Sequence, residues 1–235
     1  MKNYIILNGK SSEEISGLLI QELPPISKPL QRTKIEEIDG RDGDIITPLG
    51  YSAYDRTFTI GLYDDYDIDE ITAFFNSQGT AVFSNEIEKY YNYQILGQIN
   101  YERLIRFRTA TVTMHVQPFK YSTVEQTQTF NITGSTTSIS VRNNGNYISK
   151  PTITIYGSGT INLSLNGSQI FVIDLSNDES ITLDIENMEA SNDGTLKNRL
   201  VTGNYDNFSL NVGLNEISWS GSVTQIDIQK ASRWI

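Results

Sequence analysis

Asp65, Asp67 and Asp69 recur at every second position and form the nearest approach in this sequence to a cation-binding loop. A calcium loop needs a glycine at its sixth position for the bend and a bidentate carboxylate at its twelfth to close the shell. Here those positions hold Glu70 and Asn76, so the acids fit the positive end of a helix dipole better than a metal. His115 is the only histidine and lies in an alternating stretch, Thr111 to Gln117, with no serine motif nearby. A lone base without an orienting partner reads as a structural or surface histidine. Neighbouring carboxylates such as Asp64 and Asp65, or Asp178 and Glu179, have the chemistry of a glycosidase pair. With 28 acids in the chain, however, such neighbours arise by chance. Cysteine is absent, which removes disulfides and thiolate metal sites. The expectation is a protein with no catalytic residues, no cofactor and no metal: not an enzyme.

Binding chemistry has more material. Sugar-binding sandwiches stack a ligand on an exposed aromatic ring, and Trp219 and Trp234 are the two tryptophans. Trp219 shares a strand face with Ile217, which assigns it to a core. Trp234 lies in the tail, as a staple or a contact. Tyr90, Tyr91, Tyr93 and Tyr101 suit subunit contacts that are part buried and part wet. Arg106 and Arg108 read as one strand face opposite Ile105 and Phe107. They are either solvated or paired with acids across a subunit contact, and exposed pairs of that kind add little stability.

The elements that must position these residues divide at Gln117-Pro118-Phe119-Lys120-Tyr121. Residues 1–126 hold 16 of the 24 aromatics and a net charge of −6, from 12 basic and 18 acidic side chains. Residues 127–235 carry a net charge of −4, and 50 of their 109 residues are Ser, Thr, Asn or Gly. Pro118 cannot donate to a sheet ladder, so a strand running up to it is expected to end there. Each half is long enough to bury its own core. Acidic surfaces disfavour a groove that grips nucleic acid or an anionic membrane. No stretch approaches the roughly 18–20 apolar residues that span a bilayer. The N-terminus lacks the apolar run of a secretory signal, so synthesis in a cytoplasm is expected, with release by lysis.

Strands are expected at residues 2–8, 54–63, 80–84, 90–100 and 104–116, the last two forming a long hairpin. A proline-bounded stretch, Leu18 to Pro29, leads through Leu30–Ile38 into Asp39-Gly40-Arg41-Asp42-Gly43-Asp44, which is turn chemistry. One helix is expected, from Asp67 as N-cap to Gln78, with Ile68, Ile71, Phe74 and Phe75 on its apolar face. Beyond the seam, alternation at 153–155, 161–165, 168–174, 181–185, 208–212 and 217–219 indicates an antiparallel sandwich or jelly roll. Pro151 reads as an exposed turn at a strand head.

The first half contains, in order, Asn8-Gly9-Lys10-Ser11-Ser12, Asp39-Gly40-Arg41-Asp42-Gly43 and Pro118-Phe119-Lys120-Tyr121. The second contains Asn144-Gly145, Pro151-Thr152-Ile153-Thr154-Ile155, Gly157-Ser158-Gly159, Gly213-Leu214-Asn215-Glu216-Ile217 and Arg233-Trp234-Ile235. By the order and spacing of these elements the chain resembles, over nearly its whole length, the distal tail (Dit) proteins of siphophages infecting Gram-positive bacteria. Asp206-Asn207-Phe208-Ser209-Leu210 departs from that pattern, lacking the proline expected after the aromatic. The resemblance implies a mainly β chain. Residues 1–126 would be a ring-forming, tail-tube-like β-sandwich with one helix and a long hairpin, and residues 127–235 a galectin-like β-sandwich. It implies a structural virion protein at the tail tip, a six-fold hub ring joining tail tube to tip or baseplate around a channel for DNA. Partners would be further copies of itself, the tail tube protein, a tail-associated tip protein and receptor-binding proteins, with DNA only as passing cargo and no membrane. The family brings no catalytic residues. The galectin sugar site needs a histidine, and the only one here lies in the first half. The alternative is a carbohydrate-binding adhesion module for host cell-wall saccharide.

Overall fold

The computed structural model describes residues 2–235. The chain separates into two units, residues 1–123 with Ile235, and residues 124–234. In the first unit the strands are β1 (Ile5–Leu7), β2 (Lys10–Ser11), β3 (Leu18–Glu22), β4 (Gln31–Glu37), β5 (Asp44–Tyr51) and β6 (Tyr54–Leu62). Helix α1 (Ile68–Phe75), β7 (Gln78–Phe83), β8 (Lys89–Gln94), helix α2 (Tyr101–Phe107) and β9 (Thr109–Ser122) follow. A curled antiparallel sheet runs in the order β2-β1-β7-β8-β9-β6-β3, and β4 and β5 form a separate two-stranded sheet.

Strand periodicity puts Phe58 and Ile60 of β6 and Val112, Met114 and Val116 of β9 on one face, where they join Ile5, Phe83 and α1 in a single core. Asp67 caps α1 by accepting from the backbone N–H groups of Asp69 and Glu70, as its position before the apolar run leads one to expect. The helix stops at Phe75, three residues earlier than the sequence suggests, because Gln78 is already paired in β7. Ile71 and Phe75 are fully buried, each worth about 1.5–3 kcal/mol of apolar transfer.

Four expectations for this unit are corrected. Residues 90–100 and 104–116 are not a long hairpin. β8 and β9 do pair, but α2 occupies Tyr101–Phe107 between them, so the first unit has two α-helices among the described residues and not one. Asn100 caps α2 through a hydrogen bond from Arg103 N at 2.8 Å, and Arg108 ends it in the left-handed region at φ 57°. Arg106 and Arg108 therefore share no strand face. Nor does Pro118 end a strand. β9 runs through it because Pro118 falls where the β8–β9 register shifts between Tyr91 and Tyr93, beyond the last β6 pair at Val116, so no ladder donor is required there.

The second unit contains β10 (Gln128–Asn131), β11 (Ser138–Asn143), β12 (Thr152–Leu165), β13 (Ser168–Leu175), β14 (Ser180–Asp184), β15 (Glu189–Asn192), β16 (Thr195–Leu196), β17 (Val201–Gly203) and β18 (Gly213–Gln229). β12 and β18 are long strands that belong to both layers of a β-sandwich. One half of β12 pairs with β14 and the other with β13; one end of β18 pairs with β10 and the other with β11. The corner is made where the β12–β18 register shifts, and glycine is needed there. A Cβ on Gly157 would sit 2.2 Å from the Ser222 carbonyl oxygen, and Gly221 has φ +102° with Thr160 O in the way. Between the layers lie Ile153, Ile155, Ile161, Leu163, Ile226, Ile228 and Trp219, so the tryptophan is a core residue as its strand position requires. Phe208 and Leu210 are buried, whereas Val212 is exposed and that segment is no strand. Pro151 is buried and its carbonyl accepts from Ile185 N, which corrects the expectation of an exposed turn.

Candidate functional site

The β4–β5 hairpin stands apart from every other sheet of the described residues. Its ends meet at the root, where Ser52 N donates to Leu30 O at 2.9 Å, and Gly40 and Gly43 take positive φ at its tip. The register Ile35↔Ile46 sets two isoleucines opposite each other, 58% and 61% exposed, with Thr33↔Pro48 on one side and Glu37↔Asp44 on the other. Leu49 and Ile38 are exposed beside them. An isolated two-stranded hairpin is marginal in water, and contiguous exposed apolar side chains mark an interaction surface. At about 3.4 Å per residue, a strand the length of β5 projects on the order of 25 Å.

A buried polar cluster holds the segment that leads into this arm. Arg56 lies on the core face of β6, its side chain 1% exposed, with the guanidinium carbon 4.4 Å from the ring centres of both Phe83 and Tyr91. It donates to Glu86 Oε2 at 3.3 Å and to the carbonyls of Pro24 and Pro25 at 3.3 and 3.2 Å. Asn85 also donates to Pro24 O. Lys120 Nζ reaches Glu86 Oε1 at 2.8 Å, and the Tyr91 hydroxyl donates to Oε2 at 2.6 Å. Burial alone would raise the Glu86 carboxyl, but the hydrogen bonds from Lys120 and Tyr91 and the charges of Lys120 and Arg56 hold it below its ordinary value. Burial, then the bond to Glu86, pushes the Tyr91 phenol far above the usual tyrosine range. Arg56, anchored on that carboxylate, thus holds the Pro24-Pro25 backbone ahead of the arm together with Asn85.

The residues singled out by type fall differently. Tyr91 and Tyr93 are core residues of the first unit, which withdraws them from the part-wet contacts expected of them; Tyr93 meets Ser77 through its hydroxyl. Tyr90 stacks on Tyr121 with ring centres 5.5 Å apart, and Tyr101 is half-buried against the core. Arg106 is exposed, 4.0 Å from Glu102 one helical turn away, and Arg108 lies over the Tyr66 ring at 5.0 Å. His115 Nδ1 and Asp55 Oδ1 are 2.7 Å apart on neighbouring strands. His115 borders a groove of about 450 Å³ whose walls are mostly amides, including Gln78, Asn92, Gln94 and Gln117. Asp178 accepts from Lys197 and Asn192, bonds that hold its carboxyl below the usual range, so it is engaged in structure. No group of three or more His, Cys, Asp or Glu positioned for a metal occurs among the described residues.

The arm and the Arg56 cluster are what residue-type reasoning missed. The turn Asp39–Asp44 was a usable signal for the arm. An arginine in phase with Phe58 and Ile60 was the signal for the cluster.

The structure matches the Dit protein of phage SPP1, described as a paradigm of the hub adsorption apparatus in phages infecting Gram-positive bacteria. The match has a TM-score of 0.66 at 15% identity over 97% of this chain and 99% of that one. The baseplate of phage p2 in its activated, strontium-bound conformation contains a chain similar at a TM-score of 0.50 and 10% identity, with 98% of each chain covered. At these identities the likeness is one of fold. No protein-family model and no curated protein matches the sequence.

Proposed function

We propose that this chain is a phage tail hub: a structural virion protein whose copies close a six-fold ring between the tail tube and the tip or baseplate, around a channel through which DNA passes. In this reading residues 1–126 are the tail-tube-like, ring-forming part, and residues 127–235 are a galectin-like sandwich. Its partners are other copies, the tail tube protein, a tail-associated tip protein and receptor-binding proteins. Its place is the tail tip of the virion.

One observation carries the reading. The likeness to the SPP1 hub protein runs end to end through both units, whereas a sugar-binding sandwich alone would account only for the second. The exposed arm supports it, since a projecting element that meets a different surface on the next copy is a head-to-tail contact, and such a contact builds a ring when its rotation closes. The saccharide alternative loses its first stacking candidate, because Trp219 is buried, and keeps only the half-buried Trp234 and a few tyrosines.

Light scattering on the purified chain, with negative-stain images of the same sample, tests the proposal. A hexameric mass and annular particles with a central hole are expected. A protein that stays monomeric up to high micromolar concentration would sink the hub reading.

A further inference from the structure

We infer that the outer surface of α2 is the seat for the β4–β5 arm of a neighbouring copy. The inference rests on the ring reading above and deepens it by naming both halves of the contact.

The arm presents a defined chemistry on one face. Ile35 and Ile46 form its apolar middle, and Glu37 and Asp44 sit directly opposite each other at the tip-ward end. Like charges directly opposite across a strand pair repel. Neither carboxylate has an ion-pair partner among the described residues. From Glu36 to Asp44 the arm carries five carboxylates against the single cation Arg41. A surface that accepts this face needs an apolar patch beside guanidinium groups.

Helix α2 supplies that combination. Of its seven residues, Leu104 is buried and Tyr101 half-buried; the rest are exposed. Phe107, 64% exposed, lies one turn from Arg103, and Arg106 is exposed on the same face. Three arginines, 103, 106 and 108, face only Glu102 in this segment, in a chain whose net charge is −10. Leu96, in the connection leading to the helix, is exposed as well. Arginine suits such a contact because its planar fork can bind a carboxylate through two hydrogen bonds.

The occupant is a second copy and not the arm of the same chain. Both surfaces stand uncovered within one chain, so neither shields the other in cis. Arm and helix are unlike surfaces, so their contact is head-to-tail and repeats around an axis.

Charge reversal tests the pairing. Arg103→Glu with Arg106→Glu should reduce the wild-type oligomer to monomer, as should Glu37→Arg with Asp44→Arg. All four changes together should restore the oligomeric mass. Each variant should keep the wild-type near-ultraviolet circular dichroism, since all four positions are exposed, and should melt as the diluted wild-type monomer does. In this cysteine-free chain, Ile46→Cys combined with Phe107→Cys should give a covalent ladder beyond dimer on oxidation, while either change alone gives at most dimers. An oligomeric wild type whose mass is unmoved by the reversals, or whose double-cysteine variant yields no ladder, would overturn this contact and leave the hub reading standing. A monomeric wild type would overturn both.

Discussion

Arg56 meets Glu86 inside the first unit, Nη1 to Oε2 at 3.3 Å, but the two residues depend on each other unequally. Glu86 also receives Lys120 and Tyr91, whereas the other partners of Arg56 are two proline carbonyls and two aromatic rings. Removing the carboxylate strands two cations; removing Arg56 leaves Glu86 neutralised by Lys120. Glu86→Gln is therefore expected to destabilise the first unit by about 3–5 kcal/mol, the range for breaking a buried pair from one side. Arg56→Met should cost less, since a thioether fills the space between the two rings. Ten of the thirteen tyrosines lie in the first unit and both tryptophans in the second, so circular dichroism in the tyrosine band weights the first unit through a urea titration, while tryptophan emission follows the second and allows its part to be subtracted. The opposite ordering of the two variants would refute this account of the cluster.

The same carboxylate predicts how the first unit responds to acid. The folded-state value of Glu86 is depressed, so it contributes stability above the pH where an unfolded glutamate titrates, about 4.3. That contribution disappears as pH falls through the lower folded value. The wild-type tyrosine signal should lose stability below about pH 4.5, and Glu86→Gln should be less stable at neutral pH yet flatter in that window. Parallel slopes for the two proteins would show that other groups govern the acid transition.

How much of this was legible in the residues depends on whether burial is one-sided. The alternation of Ile153, Ile155, Ile161 and Leu163 was readable because one strand face meets a core and the other meets water. Asp67 was readable as a cap because the apolar face of α1 follows it at once. The arm hid its strands because β4 is exposed on both faces and carries no half-buried pattern. α2 hid for a related reason: only Leu104 is buried, so no helical stripe is written there, and the alternating run after Arg108 drew residues 104–107 into β9. The Pro118 bulge is a property of the register between β8 and β9, which local sequence does not contain.

Trp219 separates a structural second unit from a sugar-binding one. It is 6% exposed and pairs across β12–β18 with Leu163, so Trp219→Ala should cost about 3–5 kcal/mol by opening a cavity. Residues 127–235 alone are expected to melt cooperatively with blue-shifted emission. Titrated with cell-wall saccharides, that fragment should show no strong response in emission or melting temperature. Micromolar binding abolished by Trp219→Ala with the fold retained would restore the adhesion reading.

Excising the arm should separate folding from assembly. Leu30 and Ser52 are joined by a backbone hydrogen bond, so residues 31–51 can be replaced by a Gly-Gly link without stretching the chain. The side chains lost are exposed or half-buried, and neither β4 nor β5 belongs to the curled sheet, so the core of the first unit is untouched. The Arg56 clamp on Pro24 and Pro25 also lies outside the excised segment. The shortened protein should therefore still unfold in one cooperative tyrosine transition, compared with the full chain at a dilution where both are monomeric. Its light-scattering mass should fall to that of a monomer at concentrations where the full chain forms rings. Retained ring mass after excision would mean that the closing contacts lie elsewhere on the first unit, and the arm would then have no role in assembly.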